Sequence, residues 1–115
     1  MSFYNISNHT SSRWSSDQLK AAGGQITDLP FPNIPPHASL EEVESMAMEF
    51  ATQVPTKTKA MIAGEPTFSA ALVKALQEKG CLCLVACSER NVVENEDGSK
   101  TVKFHFIQFR EWPSY

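Results

Sequence analysis

The chain has 115 residues with 10 Lys plus Arg against 13 Asp plus Glu, a formal net charge of -3. That length fits one domain, residues 1–115, with a core sufficient without disulfides, and excludes a large multidomain enzyme. The acidic balance lacks the broad positive field that long nucleic acids require, while 42% hydrophobic and 20% charged residues exclude an intrinsically disordered chain.

The first predicted strand is Phe3-Tyr4-Asn5-Ile6, followed by a polar loop from Ser7 to Ser12. Ser15 and Gln18 have capping-box spacing, so a two-turn helix is expected from there to Gly23-Gly24. A second strand, Gln25 to Leu29, runs into the connector Pro30-Phe31-Pro32-Asn33-Ile34-Pro35-Pro36, whose prolines forbid a helix. Ser39 and Glu42 form another capping box. Leu40, Val43, Met46/Ala47, Phe50 and Val54 continue it as an apolar stripe that ends at Pro55. Lys59 to Ala63 reads as a short apolar strand. The turn Gly64-Glu65-Pro66-Thr67 follows it, and Phe68, Ala71, Leu72, Ala75 and Leu76 then mark a helix closed by Gly80.

Cys81 to Cys87 is apolar at every position, as in an inner parallel strand covered on both faces. The three cysteines share parity and read as reduced thiols in one buried layer; a lone C-x-C without a fourth ligand does not make a zinc site, and no metal is expected. Ser88-Glu89-Arg90 then leads through an extended segment to the turn Asn95-Glu96-Asp97-Gly98 and a last strand from Lys100 to about Phe109. On that strand Phe104 and Phe106 are expected on one face and Lys103, His105, Ile107 and Phe109 on the other, an apolar edge that needs a cover. The order β-α-β-α-β-α-β plus a hairpin selects an α/β fold. It is a single Rossmann-like domain, a mostly parallel central sheet flanked by helices and ending in a C-terminal β-hairpin.

Open parallel sheets bind ligands beyond the carboxyl ends of their strands. Three segments are expected on that rim: Ser7, Asn8, His9, Ser11, Ser12 and Arg13 after the first strand; Gly64, Glu65 and Thr67 after the third; Ser88, Glu89 and Arg90 after the fourth. Helix starts, hydroxyls and arginines suit phosphate, and the imidazole of His9 makes it the candidate general acid or base. The plainer roles are helix capping by Ser11, Ser12, Ser15 and Thr67, a tight turn at Gly64 and a surface ion pair of Glu89 with Arg90. Neither G-x-G-x-x-G nor a Walker motif is present, and no cofactor is implied. No apolar run is long enough to cross a bilayer and no signal-peptide pattern opens the chain, so a cytoplasmic protein without membrane contact is expected.

Several phrases carry a resemblance along nearly the whole chain: Asn5-Ile6-Ser7-Asn8-His9, Trp14-Ser15-Ser16-Asp17-Gln18-Leu19, Asp28-Leu29-Pro30-Phe31-Pro32, Gly64-Glu65-Pro66-Thr67-Phe68, Ala86-Cys87-Ser88-Glu89-Arg90 and Phe104 to Trp112. Together they resemble the small stand-alone CARF-like (CRISPR-associated Rossmann fold) proteins of the ring nuclease type. The resemblance implies a homodimer that binds a cyclic oligoadenylate messenger of type III CRISPR immunity, tetra-adenylate ahead of hexa-adenylate, across its two-fold axis. It implies cleavage without metal, by attack of a ribose 2′-hydroxyl on the neighbouring phosphate. By analogy His9 is the catalytic residue, Asn8, Ser11, Ser12 and Arg13 hold phosphate or ribose, Thr67 another phosphate, and Glu65 or Arg90 adenine or the scissile region. The alternative it leaves open is a silent binding module that senses or sequesters the messenger for a partner effector.

Overall fold

The computed structural model describes residues 2–115. Five strands form one sheet in the order β2-β1-β3-β4-β5. β1 is Phe3–Ile6, β2 Ile26–Asp28, β3 Lys59–Ile62, β4 Leu82–Glu94 and β5 Lys100–Glu111. The first four are parallel, with Asn5 level with Asp28 on one side and with Met61 on the other, and β5 closes the sheet as an antiparallel edge. The helices are α1 (Ser16–Ala22), α2 (Leu40–Ala51) and α3 (Pro66–Glu78). The expected α/β architecture with its terminal hairpin is the one observed.

Each helix starts where its residues dictate, but α2 stops at Ala51 rather than at Pro55: Thr52, Gln53 and Val54 tighten into i to i−3 turns, and Val54 is buried beyond the helix. Ser15 Oγ accepts the Gln18 N–H, and Gly23 closes α1 with φ +72°, a left-handed conformation that costs glycine little. At the start of α2 Ser39 Oγ accepts the Glu42 N–H at 3.1 Å and donates to Glu42 Oε1 at 3.2 Å. Val43, Ala47, Phe50 and Ala51 form its buried stripe, whereas Leu40, at the first helical position, stands out in solvent.

The sheet has two covers. One face packs on α2 and α3 through Ile6, Ala60, Ile62, Cys81 and Cys83, with Phe68 edge-on between Phe31 and Phe50 at centroid distances of 5.2 and 5.6 Å. The other face carries Phe3, Met61 and Leu84, covered by Ala22 of α1 with Trp14 and Phe109. Cys81 and Cys83 are buried and Cys87 is half-buried, where the strand leaves the helices behind.

Two expectations about the last strands change. Ser88-Glu89-Arg90 is not a loop at the rim: β4 runs unbroken to Glu94, and the three residues sit inside it opposite Phe106, His105 and Phe104. The backbone keeps pairing because β5 supplies partners through to Lys100, with the turn at Asn95–Ser99 stabilised by Asp97 accepting the Ser99 N–H and hydroxyl. Phe109 is not opposite in face to Phe106. A bulge at Cys87/Ser88 inserts one extra residue on β5, which reverses parity and brings the two rings to 5.0 Å.

Candidate functional site

The order 2-1-3-4-5 reverses direction between β1 and β3, and the loops leaving the carboxyl ends of these strands flank the crevice in which such sheets bind ligands. The loop after β1 is built on a buried amide. Asn5, 1% exposed, sends Nδ2 to the His9 carbonyl at 2.7 Å and to Asp28 Oδ1 at 2.8 Å. Ser7 Oγ lies 2.8 Å from Asn5 Oδ1 and 3.0 Å from the same carbonyl, and accepts the His9 N–H at 3.2 Å. Asp28 in turn accepts the Ser11 N–H at 3.0 Å on Oδ1 and the Ser11 hydroxyl at 3.1 Å on Oδ2. A polar residue near the carboxyl end of an apolar strand, level with a carboxylate on the next, thus fixes the whole turn that presents His9. The loop also pins the linker, since Leu29 N–H donates to Asn5 O and Phe31 N–H to Ser7 O.

The loop after β3 is ordered by Glu65. Its carboxylate accepts the Thr67 and Phe68 N–H groups, both at 2.9 Å, and the Thr67 hydroxyl at 2.6 Å to Oε1 and 2.7 Å to Oε2. The Thr67 hydroxyl, and then the two N–H groups, hold its pKa below the ordinary glutamate value. Glu65 is therefore the N-cap of α3, with Pro66 at the first helical position. Thr67 does not cap the helix; its hydroxyl supports the residue that does.

Between the two loops lies an open cleft lined by Asn8, Phe31, Pro32, Asn33, Ile34 and Glu65. Its exposed lining is mostly polar, with two amides and one carboxylate beside the largely buried Phe31. Gly64 is required here, because a Cβ would come within 2.4 Å of the Phe31 ring. Of the residues expected at the site, Ser7, Ser11 and the backbone of His9 gather around Asn5 and Asp28, Asn8 and Glu65 line the cleft together, and Thr67 is bonded to Glu65 with Gly64 preceding it. Ser12, whose hydroxyl is 2.8 Å from that of Thr10, and Arg13 lie on the exposed 3-10 turn Ser11–Arg13. Ser88, Glu89 and Arg90 do not join: counting from Val85, level with the end of β3, Ser88 is about 10 Å and Arg90 about 17 Å further along the strand.

Asn5, Asp28 and Asn33 are the site residues that sequence reasoning passes over. The signal for the first two was an asparagine in an apolar strand and an aspartate ending the next; no pattern marked Asn33 in a proline-rich linker. The model of the uncharacterized protein MJ1673 family matches residues 1–110. The chain belongs to that family. No curated protein and no solved structure matches it.

Chemically, the cleft offers the amides of Asn8 and Asn33 beside the Glu65 carboxylate. Amide donors and acceptors suit the hydrogen-bonding edge of a nucleobase. The carboxylates of Asp28 and Glu65 already occupy the N–H groups of Ser11, Thr67 and Phe68. A phosphate at this rim would rely on side chains, His9 and Arg13, rather than on those backbone donors. Among the described residues no cluster of three or more His, Cys, Asp or Glu could hold a metal ion, and no helix is long and apolar enough to cross a membrane.

Proposed function

We propose that this chain is a ring nuclease of type III CRISPR immunity, binding a cyclic oligoadenylate at the rim of a homodimer and cleaving it. The observation that supports this reading is the cleft at the strand-order switch, lined by the amides of Asn8 and Asn33, with His9 next to Asn8 on the turn after β1. Adenine takes the cleft. The ribose 2′-hydroxyl then attacks its own 3′-phosphate, the bond to the 5′-oxygen breaks, and a 2′,3′-cyclic phosphate end is left. His9 handles the proton at one of these oxygens, while the Asn5–Ser7–Asp28 network holds its backbone in place. An acid–base group of this kind contributes about 10²- to 10⁴-fold.

The test is incubation of the purified protein with cyclic tetra-adenylate and cyclic hexa-adenylate, with and without EDTA, followed by separation of products. Linear products that form equally with EDTA are expected, from the tetra-adenylate first. In single turnover, His9→Ala lowers the rate about 10²- to 10⁴-fold and leaves messenger affinity within about tenfold. Absence of both binding and turnover sinks the reading. Tight binding with no turnover moves it to the silent module, which the exposed position of His9 and the carboxylates at the two loops favour as the second reading.

A further inference from the structure

We propose that the part of the β4–β5 hairpin beyond the sheet is an arm that docks on a second copy of this chain, through its face bearing Val92, Val102 and Phe104. Every residue from Ser88 to His105 is exposed, although all but the turn are strand. The radius of gyration is 16.0 Å where about 13 Å is usual for this length, as a projecting ribbon requires. An isolated two-stranded ribbon is marginal in water. Of the nine large hydrophobic residues exposed among the described residues, Val92, Val93, Val102, Phe104 and Ile107 lie on this hairpin, and Phe104 is 72% exposed.

The chosen face lies on the α1 side and is continuous with the core there, because Phe106, buried below Phe104, packs on Phe109. Its cross-strand pairs are Arg90 with Phe104, Val92 with Val102 and Glu94 with Lys100. That pattern is complementary to itself. Stacked about a two-fold axis running across the strands, it sets Arg90 against Glu94 and Lys100 over Phe104. Stacked about an axis along the strands, it sets Glu94 against Lys100 and Arg90 over Phe104. Either sense joins Val to Val, opposite charges to each other and a cation to an aromatic ring, with no like charges opposed. The opposite face, with Glu89, Asn91, Lys103 and His105 around Val93, has no comparable apolar strip.

A ribbon about 30 Å long and about 10 Å wide offers less than the roughly 800 Å² per partner of a standard interface, so the dimer dissociates in the micromolar range. The proposal shares the homodimer with the ring nuclease reading and nothing else. Oligomeric state is read without messenger, so failure of cleavage leaves it standing and failure of the contact leaves cleavage to its own assay. Sedimentation velocity from about 1 to about 200 µM should show a monomer–dimer equilibrium in the wild type. Phe104→Glu should raise the dissociation constant about tenfold or more, and Val93→Glu, on the other face, should leave it within about threefold. In the wild type, hydrogen exchange of residues 88–105 should slow as concentration rises, which needs no variant. A wild type monomeric throughout, a dimer indifferent to Phe104→Glu, or equal weakening by Val93→Glu overturns the proposal.

Discussion

Glu65 shows how one side chain both makes a helix start and decides what a site can bind. Three donors converge on its carboxylate, so the positive end of α3 is neutralised from within the chain. Because its pKa is lowered in the folded state, the stabilisation it supplies is present above the pKa it has unfolded and is lost as pH falls through the folded value. Glu65→Gln should melt at lower temperature than the wild type near neutral pH, since an amide oxygen cannot replace two charged acceptors. The gap should close in acid, as the wild-type carboxyl protonates. Thermal melts of both proteins across the acid range check this, and a gap that persists unchanged would show that charge at Glu65 is irrelevant to the α3 start. The neighbouring Gly64 is constrained differently, by the approach of Phe31, and that ring is itself held by Phe68.

At the scale of elements, β4 joins two environments in one strand. Its first half lies between the two covered faces of the sheet and its second half is bare. The cysteines report the change. Burial, with smaller contributions from Cys81 and Glu111, pushes the Cys83 thiol up to about 12, whereas Cys87 is half-buried beside the bulge. A bulky thiol reagent near neutral pH should label Cys87 first and leave Cys81 and Cys83 slow until the protein unfolds, with mass spectrometry assigning the site. Labelling of Cys83 at the rate of Cys87 would place it outside the core. Periodicity and caps made most elements legible from the sequence, because Ser15, Gly23, Ser39 and Gly80 act through local geometry, whereas Pro55 does not mark the end of α2, which stops at Ala51. The extended segment before the Asn95–Gly98 turn and the hairpin were legible, but Ser88-Glu89-Arg90 was not legible as strand. Its polar residues carry no period, and what makes β4 unbroken from Leu82 to Glu94 is pairing with β5 from Leu84 to its end. The candidate site divides the same way. The loops after β1 and β3 followed from topology, but the Asn5–Asp28 contact depends on the register of two parallel strands, and Asn33 on the path of a linker.

For the molecule as a whole, the distribution of buried groups separates a body that folds on its own contacts from an arm that does not add to them. The buried core residues all lie outside the segment from Ser88 to His105, and the arm touches the body through Phe106 at its root. Joining Glu89 to His105, which face each other across the ribbon, by a two-residue Asn-Gly turn removes residues 90–104 and keeps the register of the remaining strands. The shortened protein should unfold cooperatively, with its midpoint lowered by no more than the few degrees that about 1 kcal/mol represents. Solution scattering should give a radius of gyration near the usual value of about 13 Å, and the protein should sediment as a monomer. A midpoint lowered by tens of degrees would mean that the arm carries stability for its own chain. A shortened protein that still dimerises would place the contact between copies on the body, beside the rim, and leave the exposed apolar face of the arm without the partner assigned to it.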